Sequence, residues 1–163
     1  MILSKFFKNG FLILAACLVL TACATKKEVA TDVQGQMQGD VYTGTDTVKY
    51  LADGVPDRVF FATNKSSLTT ASRATLRKQA TFLRKNKKLN VTIEGHADER
   101  GTREYNLALG ERRANAAKDY LMTYGISGKR ISVISYGKEK PVNPASSPLA
   151  WSQNRRSVTV KVN

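Results

Sequence analysis

The sequence predicts a small α/β domain, a single sheet covered by helices on one side, in the order β-α-β-α-β-(α)-β. Two observations predict the fold. Between Pro56 and Asn163, stretches with a two-residue apolar period alternate with stretches of helical period. The alternating stretches at 90–98 and 157–162 each keep one polar face, which suits a half-covered sheet better than one buried on both sides. A third observation concerns what precedes the domain. Phe11 to Leu20 is a ten-residue apolar run, short of the ~20 residues that a membrane-spanning helix needs.

That run, behind Lys5 and Lys8, has the make-up of a secretory signal core. It ends in Leu20-Thr21-Ala22-Cys23, which resembles a bacterial lipobox. In such a motif the cysteine thiol takes a diacylglyceryl group and the signal is cut before it. Residues 1–22 are therefore read as a lipoprotein signal peptide and Cys23 as the lipidated first residue. Cys17 falls inside the discarded core, so the mature chain keeps one cysteine and no disulfide. No further cofactor is expected.

Residues 23–55 are read as the lipidated cysteine and a flexible tether. From Ala24 to Val55 the chain is rich in Gly, Gln, Thr and Asp and shows no sustained apolar period. A flexible segment of that length has a root-mean-square reach of about 30 Å. The domain is placed at 56–163, and it carries the whole net charge of +13.

Within it, Arg58 to Phe61 reads as a short strand. Thr69 to Lys85 reads as a helix, with Leu76, Ala80 and Leu83 on one stripe and Thr69 or Thr70 as its cap. Asn90 to Asp98 alternates, Val91, Ile93 and Ala97 against Thr92, Glu94, His96 and Asp98. Glu104 to Tyr124 is the longest helical pattern and Gly125 is its natural stop. Ile131 to Tyr136 is a strand, a short helix is expected around Trp151, and Val158, Val160 and Val162 mark a final strand.

The motifs of common enzymes are missing: no Gly-x-Ser-x-Gly, phosphate loop, His-Glu-x-x-His or dinucleotide fingerprint occurs. Glu94, His96 and Asp98 share a strand face and are the best metal candidates. Alternate residues on a strand sit about 7 Å apart, however, which is awkward for converging on one ion. A polar, partly solvated face explains them as well, and no metal is expected. The row Arg73, Arg77, Lys78, Arg84, Lys85, Lys87 and Lys88 reads as a solvated cationic face. Nucleic acid is excluded as a partner by the export signal.

The stretch Glu94 to Asn115 brings a strand end, a glycine turn and a helix bearing Glu111-Arg112-Arg113 into succession. A carboxylate and a guanidinium side by side suit a zwitterion, the acid taking an ammonium and the arginine forking onto a carboxylate. Spacing alone equally allows Asp98 and Arg113 merely to pair with each other.

EGHADERGT (94–102), EYN (104–106), LGERRANA (109–116), YGKEKP (136–141) and QNRR (153–156) resemble the outer-membrane-protein-A-like peptidoglycan-binding family, across about Arg58 to Asn163. With lipobox and tether in front, the chain is similar to that family's lipoprotein branch. The resemblance implies an α/β sandwich with a mixed sheet. It implies that Asp98 and Arg113 bind the diaminopimelate of the peptidoglycan stem peptide, with neighbouring contacts from Phe61, His96, Arg100 and Leu109. The sequence departs at Ala62, where relatives commonly carry an aspartate. The resemblance further implies a place in the Tol–Pal system, linking outer membrane to cell wall for envelope integrity and constriction at division. TolB, and other Tol proteins beside it, would be partners. The expected location is the outer membrane, lipid-anchored, with the domain facing the periplasm. Two other classes remain: a cell-wall-acting enzyme, and a generic lipoprotein whose basic face binds polyanions.

Mass spectrometry of membrane-extracted protein is expected to show a chain that starts at Cys23 and carries lipid mass. An intact Met1 or an unmodified Cys23 would overturn the anchor.

Overall fold

The computed structural model describes residues 37–162. The signal peptide, Cys23 and the first part of the tether lie outside the described residues. A four-stranded mixed sheet forms the centre, built from β5 (Arg58–Phe60), β6 (Asn90–His96), β7 (Ile131–Gly137) and β8 (Arg156–Val162), in the order β5-β8-β6-β7. The β6–β7 pair is parallel, and β8 runs antiparallel to both of its neighbours. Two long helices, α1 (Thr70–Lys85) and α2 (Arg103–Thr123), and a short α3 (Pro148–Asn154) complete the domain. The predicted element order and the mixed sheet are observed.

Each helix starts where its sequence supplies a cap. The Thr69 hydroxyl accepts from the Ser72 amide, Thr102 from Tyr105 and Ser147 from Ala150. Gly125 closes α2 in the left-handed region at φ +81°. The far end of α1 is closed by Arg130, whose guanidinium donates to the carbonyls of Leu83, Asn86 and Leu89. Val59, Phe61, Leu76, Leu83, Val91, Ile93, Ala114, Leu121 and Ile131 form the core between the sheet and these two helices. That face needs α2 very close to β6. A Cβ on Gly95 would lie 1.8 Å from the Gly110 carbonyl oxygen, so only glycine fits there.

The tether expectation is corrected for residues 37–55. Two small hairpins occupy this stretch: β1 (Met37–Gln38) with β2 (Val41–Tyr42), and β3 (Tyr50–Ala52) with β4 (Val55–Pro56). They turn at Gly39 and Gly54, both at positive φ. Tyr42 is 2% exposed and packs edge-on against Phe60, and Leu51 is 5% exposed. Asp40 accepts from the Thr63 amide, and Asp46 from Gln153. Two isolated anchors and scattered polar contacts dock the segment without any periodic run, which is why composition alone reads as a linker.

A chain cut at residue 56 is therefore expected to melt well below one cut at residue 37. Losing the buried Tyr42 and Leu51 side chains costs roughly 3 kcal/mol or more. Equal melting temperatures for the two fragments would show that the hairpins add nothing.

Candidate functional site

Asp98 lies two residues past the end of β6, where Ala97 extends the pairing by donating to the Gly137 carbonyl. Its carboxylate is buried and held by two arginines. Arg100 donates from its backbone amide (3.1 Å), Nε (3.2 Å) and Nη2 (2.7 Å), and Arg155 from Nη1 (3.2 Å). Burial raises the pKa of Asp98. The Arg100 and Arg155 bonds outweigh it and leave the carboxyl below the usual range. Arg100 is half exposed, stacked 4.3 Å above the Trp151 ring, whose indole N–H donates to Glu99. Arg155 ties this corner to the first hairpin by donating to the Asp40 carbonyl, and to the core by donating to the Phe61 carbonyl.

Arg113 is fully buried on α2. Nε donates to Lys65 O (2.9 Å), Nη1 to His96 O (2.8 Å) and Nη2 to Ala62 O (3.1 Å), with the Phe61 ring 5.4 Å from the guanidinium carbon. Burial, and then the Arg155 charge, push its pKa down to about 10, so it stays cationic at neutral pH. Of the two alternatives left open by spacing, simple Asp98–Arg113 pairing is excluded. Asp98 bonds Arg100 and Arg155 instead.

Phe61 is buried beneath Arg113, and Leu109 is buried on α2 one turn before Arg113. His96 reaches the cluster only through its carbonyl. Its ring lies on the sheet face away from the helices, 5.6 Å from Tyr136. Glu94, His96 and Asp98 consequently do not converge, and among the described residues no three His, Cys, Asp or Glu side chains are grouped to hold a metal. Sequence reading missed Asp40, Arg155 and Trp151 as neighbours of Asp98. Arg155 sits in the QNRR motif, but nothing local says that it points at a residue 57 positions away.

The model of the family described as "OmpA family" matches residues 60–155. A protein of Rhizobium meliloti named peptidoglycan-associated lipoprotein is 48% identical over 147 residues, 90% of this chain and 84% of that one. One of the same name from Legionella pneumophila is 35% identical, covering 93% of each chain. Among solved structures, the peptidoglycan-associated lipoprotein of Burkholderia pseudomallei superposes with a TM-score of 0.63 at 37% identity, over 65% of this chain and 90% of that one. The C-terminal domain of Helicobacter pylori MotB shares the fold at a TM-score of 0.61 and 20% identity, over 66% and 84% of the two chains.

The buried imidazole makes the fold sensitive to acid. Burial, then the charges of Arg156, Arg58 and Lys140, push the His96 pKa from 6.5 to about 3. Between those values the unfolded chain takes a proton that the native ring refuses. Stability is thus complete above about pH 6.5 and falls as pH drops toward 3, by at most about 4 kcal/mol. Asp98 and Asp40, both lowered, add their loss only below the ordinary Asp value of 3.8. Neither ring nitrogen of His96 makes a well-aligned hydrogen bond, the Lys140 backbone offsetting only part of the shift, so His96→Phe is expected to fold and to flatten the melting-temperature profile between pH 6.5 and 4. An unchanged slope in that variant would assign the acid sensitivity elsewhere.

Proposed function

The chain belongs to the OmpA family, and from that premise we propose that it is a non-enzymatic, peptidoglycan-binding lipoprotein of the outer membrane. The observation that carries the reading is the Asp98 carboxylate, sunk among Arg100, Arg113 and Arg155 at a strand end. An isolated stem-peptide residue that bears both an ammonium and a carboxylate matches such a mixed cluster. We assign that residue as diaminopimelate. Its ammonium replaces Arg100 on Asp98, and its carboxylate settles toward the Arg100 guanidinium with the buried Arg113 charge beneath. Phe61 and Leu109 hold the floor, and His96 contributes its backbone carbonyl through Arg113. Asp40 supplies a carboxylate beside residue 63, close to where Ala62 lacks one.

An acid held below its ordinary pKa by arginines is a poor proton donor at neutral pH, which counts against wall-cutting chemistry at this cluster. The same reading extends to the anchor and the partners. Lipid on Cys23 would hold the protein in the outer membrane, and the domain would engage the wall and, in turn, TolB. This places the chain in the Tol–Pal system, in envelope integrity and constriction during division.

Asp98→Ala and Arg113→Lys are expected to lose co-sedimentation with diaminopimelate-type peptidoglycan. Asp98→Ala removes the acid from its buried contact with the ligand's ammonium, which costs roughly 2–5 kcal/mol, about 30-fold to several-thousand-fold in affinity. Arg113→Lys gives up the fork that holds the Ala62, Lys65 and His96 carbonyls in place. Lys87→Ala, on the exposed basic face, is expected to bind as the parent does. Melting temperatures on the same preparations separate lost contact from lost fold. Folded Asp98→Ala protein that binds at parental affinity, or equal binding to lysine-type wall, would sink the assignment.

A further inference from the structure

The helices cover one face of the sheet only. On the other, a cleft of about 640 Å³ opens between the strands and two flanking stretches, 49–51 and 140–142. Glu94 and His96 on β6 and Arg156 on β8 line its floor. Arg58 joins them from β5, with Nε and Nη2 both donating to Asp57. Lys49, Lys140 and Lys161 line it as exposed side chains. Five cationic side chains thus face two carboxylates, and one of those carboxylates is committed to Arg58.

Two groups in this floor are buried without the partners they need. Arg156, 6% exposed, uses Nη1 on Asn154 O and Nη2 on Lys140 O, and its Nε has no acceptor. His96, 2% exposed, makes no well-aligned hydrogen bond from either ring nitrogen, the Lys140 backbone giving it only weak support. Its nearest anion is the Glu94 carboxylate at 3.6 Å, too far for a hydrogen bond. Buried donors left unmet are costly and uncommon, and several together in a cationic cleft describe the outline of a missing acceptor. These donors arrive from β6, from β8 and from the chain after β7. A planar carboxylate serves two such directions, whereas a tetrahedral oxyanion offers an oxygen to each.

We propose that this cleft binds a phosphate group, held by Arg156 and His96 from the floor and by Lys140 from the rim, at a site separate from the Asp98 cluster. Lys140 lines the cleft with its ammonium 3.6 Å from the centre of the Tyr136 ring. The groups facing the imidazole are Glu94 on its own strand, Arg58 from β5, Arg156 from β8, and Tyr136 and Lys140 from β7 and the turn after it. Three of them are cations, and burial first and these charges second keep the ring neutral. A bound oxyanion opposes that field, so binding takes up a proton at His96, and an anion whose own charge is fixed binds tighter as pH falls. Glu94 competes with the anion for the ring.

The chain contains a single histidine, so one imidazole signal reports on the cleft without ambiguity. The experiment follows that signal by NMR in the full-length chain in detergent, titrated with sulfate, which does not itself change charge between pH 4 and 8, and with inorganic phosphate. Sodium chloride at equal ionic strength is the reference. Saturable shifts are expected, with the His96 pKa raised by at least one unit when the site is filled. Lys140→Ala and Arg156→Lys should weaken binding about tenfold, Glu94→Gln should strengthen it severalfold, and Asp98→Ala should leave it unchanged. Nanodiscs of phosphatidylglycerol, against neutral phosphatidylcholine, distinguish a lipid headgroup from a free phosphate, and a specific response in either arm supports the site. An imidazole that responds to neither arm beyond chloride, or a response that Lys140→Ala retains in full, overturns it.

Discussion

The structure depends on a guanidinium that has no carboxylate of its own. Arg113 is buried under α2 and satisfied by the carbonyls of Ala62, Lys65 and His96. Those oxygens belong to the loop after β5 and to the end of β6, so one side chain fixes two chain segments against a helix. A buried charge of this kind is tolerable only because dipoles replace the water it lost. Asp98 lies two residues from one of these carbonyls, and its position follows from them. The close approach of Gly95 to Gly110 brings α2 near enough for the arginine to reach. A methyl group at either position would push the helix off the strand and pull the guanidinium from its acceptors.

Electrostatics at the Asp98 corner follow from crowding. Arg100, Arg113 and Arg155 surround the carboxylate, while Asp40 arrives from the first hairpin with its own pKa lowered. Burial and mutual repulsion push Arg113 and Arg155 down, whereas the bond to Asp98 holds half-exposed Arg100 up. The two classes of arginine differ in freedom. Arg113 and Arg155 are fastened to main-chain oxygens, and Arg100 leans on an aromatic face from which it can move. On the proposed reading, a ligand entering here would exchange with Arg100 and leave the frame intact.

Periodicity made the large elements readable. The alternation from Val91 to Ala97, the stripe of Leu76, Ala80 and Leu83, and the Gly125 stop each depend on near neighbours in sequence. The long motif around Asp98 and Arg113 spans the strand end and the helix that meet at this corner. What stayed hidden depends on distant residues. Asp40 and Arg155 meet across 115 positions, and neither belongs to a pattern that would announce it. His96 was read on a partly solvated face, yet it is buried because residues 49–51 and 140–142 cover that end of the strand. The hairpins at 37–56 escaped for the same reason, since two apolar anchors in a polar segment leave no period to detect.

The strand order carries a consequence for when the chain can become compact. In β5-β8-β6-β7, the strand that comes last in sequence lies between the first and second strands of the sheet. Until residues 156–162 are present, β5 has no neighbour in this sheet, and β6 has only β7. The β6–β7 pair is itself parallel and joined through a long crossover, the kind of contact that forms slowly from distant segments. A polypeptide being drawn lengthwise through a narrow passage therefore stays threadable until its final strand has come through, and the sheet closes only on the far side.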